Sequence, residues 1–102
     1  TGDERSDLGP VLRERGVAIK SDLRPAMSFF TRSDNVPFAK AGIVAQTLST
    51  YGEHEDYHQP SDEWETLDYA HMEASVRVCL EAAKVLVNGP WKPSWNEGEP
   101  RF

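Results

Sequence analysis

The sequence is short of several things at once. It has one cysteine, Cys79, so no internal disulfide can form and the fold must rest on noncovalent packing. No apolar stretch approaches the roughly 20 residues that a membrane-spanning helix needs, and the polar run from Thr1 to Asp7 carries no signal-type hydrophobic segment. A membrane is therefore not an expected partner. Between residues 41 and 76 there is no Lys or Arg at all, against eight acids. The flanks are balanced, with seven basic and six acidic residues in 1–40 and four and three in 77–102. The formal charge of -6 thus arises in the middle of the chain. The clustered basic face that binds a phosphate backbone is missing, which argues against nucleic acid as the main partner. An acidic middle instead attracts metal ions and ammonium groups, although a solvated acidic loop has the same composition. The first residue is Thr1 and not Met, as expected of a portion of a longer polypeptide.

What is present suits one globular unit: 102 residues, 38% hydrophobic and 27% charged. Asp7-Leu8-Gly9-Pro10 reads as a helix start with an acidic cap and Pro in the first turn, and Gly16 ends that short helix. Met27 to Thr31 reads as a strand, Pro37 to Ala41 as one or two helical turns closed by Gly42, and Ile43 to Leu48 as a buried strand. Residues 51–66 have no periodicity, and a loop of that length inside a compact domain is usually functional or disordered, its aromatic residues weighing against disorder. Tyr69, Met72, Val76, Cys79, Leu80, Ala83, Leu86 and Val87 follow helical spacing, with Asp68 as N-cap and Gly89-Pro90 as the stop. The tail, with Trp91 and Trp95 among Pro93, Gly98 and Pro100, should lie extended and anchor through its rings. These elements predict an α/β fold. Two short strands do not make a self-sufficient sheet, so the expected arrangement is the C-terminal part of a larger α/β domain with its other strands upstream of Thr1.

Of the three histidines, His71 falls at a helix start and His54 lies between Glu53 and Glu55, both settings typical of solvated residues. His58 differs. Tyr57 precedes it and Gln59-Pro60-Ser61-Asp62 follows, so Pro60 and the turn-forming side chains stiffen the backbone around it. A neutral imidazole binds zinc, and a neighbouring phenol can donate to an oxyanion. One histidine alone is not a zinc site.

Two stretches, Arg32-Ser33-Asp34-Asn35-Val36-Pro37-Phe38-Ala39-Lys40-Ala41-Gly42-Ile43 and Tyr57-His58-Gln59-Pro60-Ser61-Asp62-Glu63-Trp64, resemble the C-terminal part of the co-catalytic zinc aminopeptidases. That family includes plasma glutamate carboxypeptidase and the glutaminyl cyclases. The similarity runs from about Phe29 onward, and the Pro90 to Gly98 ending resembles those of bacterial members. The resemblance implies a mixed-sheet, three-layer domain of which residues 1–102 would be the C-terminal segment, incomplete without upstream sequence. It implies that His58 is the last zinc ligand, that the Tyr57 phenol stabilises the tetrahedral intermediate, and that Arg32 lines the substrate pocket. It further implies two zinc ions sharing a water and a glutamate base, with the other ligands and the base contributed by earlier sequence. Phe30, Phe38 and Trp64 are expected as core or pocket wall, and Asp34 and Asp62 as structural.

The activity so implied is hydrolysis of N-terminal residues from peptides by the parent protein, the isolated chain being inactive. Relatives with this ending are typically periplasmic or secreted. One departure stands out: the family usually carries histidine after the serine-aspartate pair, and here the residue is Asn35. That favours a rival in which the domain has lost its metal and serves as a binding surface. A second rival is glutaminyl cyclase-like acyl chemistry with a single zinc.

Overall fold

The computed structural model describes residues 1–50, 58–61 and 63–102. Among the described residues there are three α-helices, α1 (Leu8–Glu14), α2 (Asn35–Lys40) and α3 (Tyr69–Asn88), and single 3-10 turns at Asp3–Arg5, Pro25–Met27, Phe29–Thr31 and Trp64–Thr66. Among the described residues there is no strand; one isolated antiparallel bridge links Ser6 to Trp95.

This overturns the α/β expectation, including the portion of a mixed-sheet, three-layer domain. Met27 to Thr31 is not a strand because Ser28 sits in the left-handed region at φ 54, where an extended chain cannot pass. The chain instead closes two tight turns, Ser28 N donating to Pro25 O and Thr31 N to Ser28 O. Pro25 starts the first of them with its fixed φ. Residues 43–48 join no ladder, and their ends are exposed rather than buried, Ile43 at 56%. Their polar groups bond instead to the first residues of the chain. Thr1 N donates to Thr47 O at 2.8 Å, Thr47 N donates to Thr1 Oγ1 at 3.2 Å, and Gln46 Nε2 donates to the carbonyls of Thr1 and Gly2.

The helices match their sequence signals more closely. The Asp68 carboxylate accepts from His71 N at 3.1 Å, which satisfies one of the unpaired amides at the start of α3. At α1 the capping role moves by one residue: Ser6 Oγ accepts from Leu8 N at 3.1 Å. The Asp7 carboxylate turns away to take Ser94 N at 2.7 Å and Trp91 Nε1 at 3.4 Å. Gly42 ends α2 at φ 85, a conformation with no steric cost for glycine.

Two small cores result among the described residues. Leu12, Val17 and Ala82 are buried together, with Leu8, Ile19, Val78 and Val85 packed around them, so α1 and the chain after it lie against one side of α3. The other side of α3 carries the larger apolar residues Tyr69, Met72, Val76, Leu80 and Val87, all exposed. The second core is built on Phe30, which is 4% exposed. Trp95 meets its ring edge-on at 6.1 Å, Phe102 stacks at 6.0 Å, and the Arg5 guanidinium carbon lies 4.3 Å from its centre. No described helix is long and apolar enough to cross a membrane.

Candidate functional site

Arg32 follows the Phe29–Thr31 turn directly, and its backbone N–H closes that turn by donating to Phe29 O at 3.2 Å. Its side chain is exposed. Nη1 donates to Met27 O at 3.2 Å, and the guanidinium carbon lies 5.4 Å from the Phe29 ring centre. The two contacts hold the planar fork against the turn from which it emerges, an arrangement suited to presenting its remaining donors to an anionic or carbonyl group.

Three residues on, Asn35 opens α2 as a buried polar hub. Its Nδ2 donates to Phe30 O at 3.0 Å and to Ala45 O at 3.3 Å, while Oδ1 accepts from Thr47 Oγ1 at 3.1 Å. One amide therefore joins the turn before Arg32, the helix after it and the segment beyond Gly42. An amide supplies donors and an acceptor together without titrating, so the departure from histidine at this position is matched by a full set of internal bonds. Asp34, beside it, makes no side-chain bond to the helix end.

His58 is exposed and stands in a turn with φ 59, one of two non-glycine residues in the left-handed region among those described. Such a backbone costs a non-glycine residue of order 1–3 kcal/mol and persists where the surroundings impose it; Pro60 two residues later restricts the same turn. Tyr57 lies outside the described residues, as does Asp62. Of the aromatic residues expected as core or wall, Phe30 is core, while Phe38 and Trp64 are exposed.

Among the described residues no group of three or more His, Cys, Asp or Glu side chains is placed to hold a metal ion. The residues described here therefore do not by themselves fit a zinc centre, and no chemical step through a metal follows from them. What they do form is a turn-and-helix unit, Phe29 to Gly42, that presents Arg32, and a separate strained turn that presents His58.

The contacts that hold this unit in place are not local in sequence. Asp7 carries the signal of a helix cap and Trp95 that of a ring anchor in the tail, but the partners of both, and the role of Phe102, arise across more than 50 positions of chain. The paired tryptophans in a proline-broken tail are the one signal that pointed there.

The model of peptidase family M28 matches residues 2–83, which include Arg32, Tyr57 and His58. No curated protein and no solved structure matches the chain.

Proposed function

Because the chain belongs to peptidase family M28, we propose that it forms part of a zinc-dependent aminopeptidase. In this reading the protein releases residues from the N-termini of peptides. His58 supplies one metal ligand, the Tyr57 hydroxyl donates to the oxygen of the reacting carbonyl, and Arg32 contacts the substrate. The observation that carries the reading is the family match, which spans all three positions.

Two features of this chain support it. The strained backbone at His58 is of the kind that clusters at functional positions, and Arg32 is braced by its own turn rather than free to swing. The further ligands and the general base would come from polypeptide preceding Thr1, whose packing would also cover the exposed apolar side of α3. The acidic stretch between residues 41 and 76 would favour the charged amino end of a peptide near the pocket. A periplasmic or extracellular location belongs to the same proposal. Asn35 gives no support to a metal-free binding domain, since its hydrogen bonds to Phe30, Ala45 and Thr47 account for it as a packing residue.

The test uses the intact protein and matched peptides with free and acetylated N-termini. The proposal expects loss of the first residue from the free peptides alone, abolished by a chelator and restored by zinc. Cyclisation of an N-terminal glutamine without release of a residue would replace it with the cyclase reading, and turnover of neither peptide would contradict it.

A further inference from the structure

Within the Phe29 to Gly42 unit α2 packs on the turn that precedes it, and the buried cluster that joins α1 to α3 contains no residue of this unit. What joins the unit to distant chain is irregular structure, and much of it comes from residues 91–102. Trp95 has two holds: its ring meets Phe30 edge-on, and its Nε1 donates to Gly42 O at 3.1 Å. It thereby grips the turn before Arg32 and the end of α2 after it. Phe102 stacks on Phe30 from another side, and Lys40 Nζ stands 5.5 Å from the Phe102 ring centre.

The 91–102 segment is itself fastened to the beginning of the chain. Asp7 N donates to Ser94 O at 3.1 Å and Asn96 N to Arg5 O at 2.8 Å, while Asn96 Nδ2 donates to Glu4 O at 2.8 Å. Glu99 binds Arg5 and Arg101 through its carboxylate. The segment is thus anchored along residues 4–7 and reaches from that anchor to both ends of the unit that carries Arg32. The family match covers residues 2–83, so the 91–102 segment itself lies outside the matched region while its anchor and its targets lie within it.

We propose that residues 91–102 position Arg32, with Trp95 and Phe102 acting through Phe30 and Gly42 rather than by touching substrate. The proposal rests on the reading of Arg32 as substrate-binding. Trp95 is a positioning residue: it fixes the two ends of a short unit whose middle presents the guanidinium. Loss of the grip leaves the Arg32 side chain intact but lets the turn that braces it move. Substrate binding then weakens more than the chemical step does, because an arginine held in place forms its hydrogen bonds with less loss of freedom.

The experiment compares Trp95→Ala and Trp95→Phe with the unaltered protein, using amide hydrogen exchange and steady-state kinetics on the intact protein. In Trp95→Ala, protection of the amides between residues 30 and 42 should fall about tenfold while that of α3 is unchanged. KM for a peptide should rise about fivefold or more with kcat nearly preserved and metal content unaltered. Trp95→Phe keeps a ring against Phe30 and loses only the donor to Gly42, so its changes should be smaller and of the same kind. Unchanged exchange at 30–42, an equal loss of protection in α3, or a fall in kcat at constant KM would each overturn the proposal. If the unaltered protein has no peptidase activity, the functional reading fails, and the exchange measurement still decides whether the segment holds the Arg32 unit.

Discussion

Asn35 and Thr47 are joined by a hydrogen bond, the Thr47 hydroxyl donating to Asn35 Oδ1 at 3.1 Å. With the two carbonyls that Asn35 Nδ2 reaches, this makes Asn35 the polar centre between α2 and the chain beyond Gly42. Each satisfied hydrogen bond of a buried amide contributes only modestly to stability, but removing the amide strands the groups it served.

Replacing Asn35 with leucine keeps similar bulk and leaves the Phe30 and Ala45 carbonyls without their donor. The expected cost is about 2–3 kcal/mol, read as a lower midpoint of urea unfolding at unchanged slope. Asn35→His restores one donor and one acceptor, so it should recover part of that loss. A leucine variant as stable as the original would show that the hub contributes nothing net.

Gly2 tests the second core. Its φ is 66, and a Cβ added there would stand 2.5 Å from Phe30 Cδ2. Gly2→Ala therefore meets both a left-handed backbone and the ring at the centre of the cluster, and should cost more than about 1 kcal/mol. Thermal unfolding checks it, and the loss should not be additive with that of a Phe30→Leu variant, because both act on the same contact.

Much of the helical framework was legible in the sequence, for physical reasons that particular residues show. Asp68 followed by regularly spaced apolar residues gave α3, and Gly42 gave the end of α2, because caps and glycine stops act locally. Met27 to Thr31 misled because two phenylalanines and a threonine favour a strand, whereas Ser28 at φ 54 turns the chain back twice. Ile43 to Leu48 misled because apolar content does not by itself mean burial, and the segment bonds to the Thr1 and Gly2 carbonyls and the Thr1 hydroxyl instead of joining a ladder. Within α3 the visible stripe of large residues is the exposed side, and the buried side is the smaller Val78, Ala82 and Val85. Periodicity reveals that a helix has an apolar face, not which face meets a partner. At the candidate site, Arg32 and His58 could be named from motifs, but the support from Asp7, Trp95 and Phe102 depends on contacts that no local pattern encodes.

Acid should loosen the fastening of the 91–102 segment. Burial pushes the Glu99 carboxyl upward, but the Arg101 backbone N–H, the Arg101 guanidinium and the charge of Arg5 outweigh it and hold Glu99 below its ordinary value of 4.5. A carboxylate lowered by folding contributes stability that is full above its unfolded value and is lost as pH falls through the folded one. Glu99→Gln should therefore be less stable than the original at pH 7, and the gap should close below about pH 4.5. Denaturant melts at the two pH values check this, and a gap that does not depend on pH would contradict it.

The proposal that the His58 imidazole binds the metal of a peptidase stands or falls on the zinc content and peptide turnover of the intact protein carrying His58→Ala. Bound zinc should fall and turnover should drop more than about a hundredfold while the helical circular dichroism is retained. Zinc content and turnover equal to those of the unaltered protein would contradict it.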